Sequence, residues 1–147
     1  MRDGPMQEAL RQAEIAGREG EVPIGAVVVL NGEIIASAHN RTIADCDPTS
    51  HAEILALRRA ATHLANHRLI GATLYVTLEP CIMCAGALVQ ARVERVVFGC
   101  RDRKAGALGS TCDIRRDAQL NHSFEVIEGI EEDRCRFLLQ EFFRNKR

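Results

Sequence analysis

Apolar residues along the chain follow two periods, one near 3.6 and one near 2, and the points where one gives way to the other lay out the predicted elements. Met6, Ala9, Leu10, Ala13 and Ala16 fall on one face of an amphipathic helix, with Asp3-Gly4-Pro5 as a start signal and Gly20 as a stop. Ile24 to Leu30 is a short β-rich run, Asn31-Gly32 is a two-residue turn signal, and Glu33 to Ala38 returns as the partner strand of a hairpin. A polar loop covers Asn40 to Asp47. Pro48-Thr49-Ser50 then opens a second helix to about Ala65, Leu74 to Thr77 is a strand ending at Glu79-Pro80, and a third helix runs from Cys81 to about Arg92. Val93 to Phe98 is the next strand, Gly99 to Ser110 is too irregular to assign, and Phe124 to Ile127 is a fifth strand. The last helix, Glu131 to about Asn145, carries Cys135, Leu138, Leu139, Phe142 and Phe143 as a stripe expected to face the core.

The order α-β-β-α-β-α-β-β-α predicts an α/β fold with a five-stranded mixed sheet and helices on both faces, antiparallel at the hairpin and parallel where the third helix forms a right-handed crossover. No internal repeat or linker marks a second unit, so residues 1–147 are expected to form a single domain. A chain of this length can build a core without disulfides. No apolar run is long enough to cross a bilayer and the amino end lacks the apolar stretch of a secretory signal, so a cytoplasmic location is expected, with the six cysteines free or bound to metal.

Charge alters this picture only locally. The net charge of -1 conceals +3 between Arg101 and Arg116 and +3 between Arg144 and Arg147, leaving -7 over the remaining chain. Two basic segments on an acidic protein suit a localised phosphate-binding surface as well as they suit solvated loop and tail charges.

The candidate chemistry stands in two short motifs, His51-Ala52-Glu53 and Pro80-Cys81-Ile82-Met83-Cys84, each at a predicted helix start. Cys81 and Cys84 are three apart, so one helical turn puts both sulfurs on one face, with Pro80 suited to the first turn. The positive end of a helix also favours thiolate. His51 and Glu53, two apart, can share a site only at an irregular first turn. One His and two Cys make three ligands, the pattern of catalytic zinc with a position open to water, whose pKa the ion lowers to about 7. Taken singly, each motif has a plainer explanation: Ser50 and Glu53 fit a capping box, a lone His is usually structural, and C-x-x-C is often a redox pair or half of a structural zinc site. Their conjunction, in order and 30 residues apart from His51 to Cys81, favours catalytic zinc, one ion per chain.

The same motifs carry a resemblance. Val22-Pro23-Ile24-Gly25-Ala26-Val27, His39-Asn40-Arg41, Asp47-Pro48-Thr49 before His51-Ala52-Glu53, and Thr77-Leu78-Glu79-Pro80-Cys81-Ile82-Met83-Cys84-Ala85-Gly86-Ala87 resemble the bacterial tRNA adenosine deaminases of the cytidine-deaminase superfamily, over nearly the whole chain. Phe98-Gly99, Lys104-Ala105-Gly106-Ala107, Gly109-Ser110, Asn121-His122 and Phe142-Phe143-Arg144 look like later landmarks of that family, whereas Arg101, Arg103 and Ala105 depart from it. The resemblance implies a three-layer α/β/α cytidine-deaminase-like fold and hydrolytic conversion of adenosine to inosine at the wobble position of a tRNA anticodon, pointing to arginine tRNA. It implies that His51, Cys81 and Cys84 bind Zn2+, that Glu53 shuttles protons, and that Asn40 hydrogen-bonds the flipped purine. Ile24, the Ala52 backbone, Asp102, Lys104, Asn121 and Phe143 are implied in the pocket wall and anticodon-loop contacts, and a homodimer is implied as the assembly. Two rivals remain open. Free guanine, cytosine or deoxycytidylate deaminases share the chemistry, and a non-catalytic RNA-binding module with structural zinc would need a fourth protein ligand.

Overall fold

A computed structural model describes residues 3–146. Helix α1 (Asp3–Arg18) leads into β1 (Gly25–Leu30) and β2 (Glu33–His39), then α2 (Ala52–Leu64), β3 (Thr73–Leu78), α3 (Ile82–Ala91), β4 (Arg95–Cys100), a short α4 (Ile114–Asp117), β5 (Glu125–Glu128) and α5 (Glu132–Asn145). The five strands form one sheet in the order β2-β1-β3-β4-β5. β1 is antiparallel to both β2 and β3, while β3–β4 and β4–β5 are parallel. The hairpin turns through Asn31 (φ 52) and Gly32 (φ 79), the pair of left-handed conformations that the right-handed strand twist favours in a two-residue turn.

The sheet has a core on each face because successive strand residues point to opposite sides. Ala26, Val28, Leu74, Val76, Val96 and Phe98 pack with Ala52, Ala56 and Leu57 of α2 and with Ala85, Leu88 and Val89 of α3. The alternate residues Val27, Tyr75 and Val97, together with Cys100 at the end of β4, pack with Met6, Ala9 and Leu10 of α1 and with Cys135 of α5. This is the three-layer α/β/α arrangement that the sequence pattern predicts. No helix among the described residues is long and apolar enough to cross a membrane.

Several boundaries differ from expectation. The second helix begins at Ala52 rather than Pro48, since Pro48 to Ser50 form a turn in which the Asp47 carboxylate accepts from the Thr49 amide (2.8 Å) and hydroxyl (2.7 Å). Ser50 donates its hydroxyl to Asp45 (3.1 Å), so the Ser50–Glu53 capping box does not form. Cys81 is the N-cap of α3 and Pro80 lies one residue outside the helix, not in its first turn. Helix α4 lies beyond the stretch left unassigned by periodicity; the Asp113 side chain caps it by accepting from the Arg115 amide. The α5 stripe faces the core as far as Leu139: Cys135 is buried, Leu138 and Leu139 pack half-buried against the same cluster, and Phe143 is 52% exposed.

Candidate active site

The ends of β2 and β3 lie at one end of the sheet, and the chain leaving each of them leads to a helix start, α2 after β2 and α3 after β3. His51 is the N-cap of α2 (φ -74, ψ 153) and Cys81 the N-cap of α3 (φ -75, ψ 176), both extended, while Cys84 is the third residue of α3. Extended N-cap backbone lets each side chain turn back across the helix mouth, so these residues converge from elements 30 and more positions apart. His51 Nδ1 lies 3.7 Å from the Cys81 sulfur and 3.4 Å from that of Cys84, and the three ligand atoms lie within 4.8 Å of one another.

Those distances fit a metal. A tetrahedral zinc bonded at about 2.3 Å to sulfur and about 2.1 Å to nitrogen sets S···N edges at about 3.6 Å. The electrostatics agree. A hydrogen bond from Cys84, reinforced by His51, draws the Cys81 thiol down to about 3. The same contact, together with burial, pushes Cys84 up. The two thiols are thus set apart, Cys81 favouring the thiolate and Cys84 the thiol. The contact with Cys81 also raises His51. Among the described residues no fourth His, Cys, Asp or Glu joins the trio.

Glu53, one position into α2 beyond Ala52, is 4% exposed, and burial pushes its carboxyl up to about 7, in the range where it can both take and release a proton at neutral pH. Asn40 is buried at the end of β2; its backbone amide donates to the Ile24 carbonyl (3.2 Å) and its Oδ1 accepts from the Ala52 amide at 2.8 Å. That bond satisfies a donor at the start of α2, which no intrahelical partner could take. It also fixes the Asn40 amide so that Nδ2 remains the donor.

Asn40 opens onto a cleft of about 860 Å³ also lined by Ile24, Asp102, Lys104 and Phe143. Five of the expected substrate residues therefore share one cavity, and Ala52 joins them through its amide. Within the cleft Asp102 also shapes its own loop, for its Oδ1 accepts from the Lys104 and Ala105 amides (3.0 and 3.1 Å) and closes a tight turn. Asn121 does not join the group. Its side chain accepts from Arg92 (3.0 Å), the C-cap of α3, one helix length or about 15 Å from the ligands.

Ion pairs take up much of the charge of the two basic segments. Arg101 pairs with Glu128, Arg115 with Asp113 and Arg116 with Asp117, so among the described residues Arg103 and Lys104 are the cations of that segment without an ion pair. Arg144 pairs with Glu141, Lys146 lies 5.2 Å from the centre of the Phe142 ring, and Arg147 lies outside the described residues.

Two buried carboxylates near the site are not distinguished by the sequence pattern. Glu21, 1% exposed, accepts from the amides of Ile43 (3.2 Å) and Ala44 (2.8 Å) and holds the loop that precedes His51. Glu79, 2% exposed, accepts from the loop beyond β4. A charge set directly after a buried strand, as in Leu78-Glu79, is the signal that could have marked the second of them.

A family model described as MafB19-like deaminase matches residues 2–147. The chain is 50% identical to a tRNA-specific adenosine deaminase of Bacillus subtilis over 97% of this chain and 88% of that protein, and 46% identical to one from Haemophilus influenzae over 97% and 83%. A solved structure from work on A-to-I editing by tRNA:A34 deaminases superposes with a TM-score of 0.90 at 44% identity, covering 92% of this chain and 98% of that one. A guanine deaminase from Nitrosomonas europaea superposes with a TM-score of 0.81 at 25% identity over 97% and 84%.

Proposed function

From a chain that belongs to the MafB19-like deaminases and, within them, to the tRNA-specific adenosine deaminases, hydrolases that turn adenosine into inosine, we propose an enzyme acting on the wobble adenosine of a tRNA anticodon, that of arginine tRNA, in the cytoplasm. The observation that carries this reading is the convergence of His51, Cys81 and Cys84 beside Glu53, with Asn40, which lines the cleft, hydrogen-bonded to the Ala52 amide between His51 and Glu53.

His51, Cys81 and Cys84 hold one Zn2+ per chain in this reading, which the sulfur–nitrogen separations support. A bound zinc ion supplies Lewis-acid activation of water near neutral pH. Glu53 takes a proton from the attacking water and passes it to the purine ring nitrogen next to the amino-bearing carbon. The oxygen adds to that carbon. Glu53 then carries the second proton to the amino group, the carbon–nitrogen bond breaks, and ammonia and inosine result. The buried environment that raises Glu53 suits it to both transfers.

Asn40 selects the base. Because Oδ1 is engaged by Ala52, Asn40 offers Nδ2 as a donor, which matches a purine N7 and finds no counterpart on a pyrimidine ring. Asn40→Asp keeps an acceptor for the Ala52 amide and removes that donor. It should retain zinc and the fold while lowering kcat/KM on the RNA by at least about tenfold. Unchanged kcat/KM with zinc in place would remove Asn40 from base recognition.

The cleft with Lys104 and Arg103 at its margin fits a nucleotide extruded from a loop, where unstacking costs less than in a duplex. The reading takes the anticodon stem-loop as partner and a homodimer as the assembly. Purified enzyme is expected to convert the wobble adenosine of an arginine-tRNA anticodon hairpin, seen as inosine by nucleoside mass spectrometry, with little action on free adenosine and none on cytidine. Ready turnover of guanine with an untouched hairpin would instead favour the free-base chemistry of the Nitrosomonas europaea relative.

A further inference from the structure

We propose that Glu79 is a positioning residue for substrate binding: its buried carboxylate locks the Asp102–Ser110 loop, one wall of the cleft, against the start of α3 that carries Cys81. Four donors from that loop converge on this one group. The Asp102 amide donates to Oε1 (3.0 Å), the Leu108 and Ser110 amides to Oε2 (3.0 and 3.1 Å), and the Ser110 hydroxyl to Oε1 as well. A carboxylate that only accepts can serve all four, whereas an amide side chain would present its own N–H groups to at least one of them.

The placement gives this lock its reach. Glu79 follows β3, and its backbone amide donates to the Cys100 carbonyl (2.9 Å), which ties it to the end of β4. Two residues on, Cys81 pairs with Gly106 in an isolated antiparallel bridge, and the Ala107 amide donates to the Pro80 carbonyl (2.9 Å). The loop is therefore laid directly alongside the ligand-bearing backbone. Gly106 is the complement of Glu79: a Cβ there would overlap the carboxylate itself, so the loop closes over Glu79 only where a side chain is missing. Asp102, at one end of the locked span, shapes the turn that presents Lys104 to the cleft. Neither Glu79 nor Gly106 lines the cleft, and the reaction gives neither a proton to carry. Their effect passes through the wall they hold.

The inference rests on the proposed substrate only for the choice of ligand. Glu79→Gln and Gly106→Ala attack one contact from its two sides, and the second keeps the test available should the first not fold. In zinc-loaded, full-length protein each should raise KM for the anticodon hairpin, and its Kd by fluorescence anisotropy, about tenfold, with kcat within about threefold of the unmodified enzyme. Zinc should stay at one per chain. The double variant should be no worse than the weaker single one, because both changes break the same contact. A lower Tm with unchanged KM would make Glu79 a plain structural residue and overturn the proposal, as would a fall in kcat at constant KM. If the unmodified enzyme neither binds nor deaminates the hairpin, the substrate reading is what fails; KM for whichever free aminopurine it does turn over then decides the role of Glu79 by the same criteria.

Discussion

Glu53→Gln should lower the deamination rate by at least about 10²-fold while leaving one zinc bound per chain. Gln matches Glu in volume and polarity, so the change removes the proton carrier without opening a cavity at a position only 4% exposed. Both proton movements depend on a group that is neutral and ionised in turn, and burial pushes Glu53 up to about 7, where each form is accessible. An amide has no such pair of forms. Single-turnover assays on the anticodon hairpin, with metal content measured on the same preparation, check the expectation. Loss of zinc in step with activity would recast Glu53 as a ligand, and undiminished turnover would end its role.

Replacing the cysteines gives the second large effect, of a different kind. Cys81→Ala together with Cys84→Ala leaves His51 alone of the three converging ligand atoms, and one imidazole does not retain zinc. Metal content is expected to fall from one ion per chain to near zero, and activity to fall below detection, since water without zinc returns to a pKa of about 15.7. The fold should survive. The site lies at the mouths of α2 and α3, and the cores on the two sheet faces are formed by residues such as Phe98, Leu74 and Met6 that do not belong to it. Circular dichroism alongside metal analysis separates these outcomes: zinc retained by the double variant would sink the ligand assignment, and unfolding would show that the ion is structural.

The convergence of His51, Cys81 and Cys84 is legible in the sequence because each of the two motifs is local. Cys81 and Cys84 are one turn apart, and both motifs announce helix starts. The β-hairpin is legible for the same reason, through Asn31-Gly32. What escapes is non-local. The second helix begins four residues later than Pro48 suggests because the donor at Ala52 is satisfied by Asn40, twelve residues earlier and on another element. The burial of Glu21 and Glu79 is set by loops distant in sequence that fold their amides onto them. Phe143 keeps the period of a core stripe, yet it belongs to neither core cluster and lines the cleft instead. Asn121 joins the expected pocket by resemblance alone, and its position just ahead of β5 sets it at the other end of the sheet.

Both ligand-bearing helices are anchored by their first residues and end away from the site, α2 at Ala65 (φ 53) and α3 at Arg92 (φ 62), each in a left-handed cap. Length is therefore unequally constrained along the chain. A residue inserted between Leu78 and Cys81 would turn the sulfurs off the His51 face and separate Glu79 from its loop. Residues inserted in the exposed stretches 66–68 or 118–121 fall at the end of the sheet away from the site, where a longer loop costs little closure entropy and leaves the chemistry untouched. Variation in chain length among enzymes built on this plan should accumulate at that distal end, which makes it the place to graft a tag or a further binding segment.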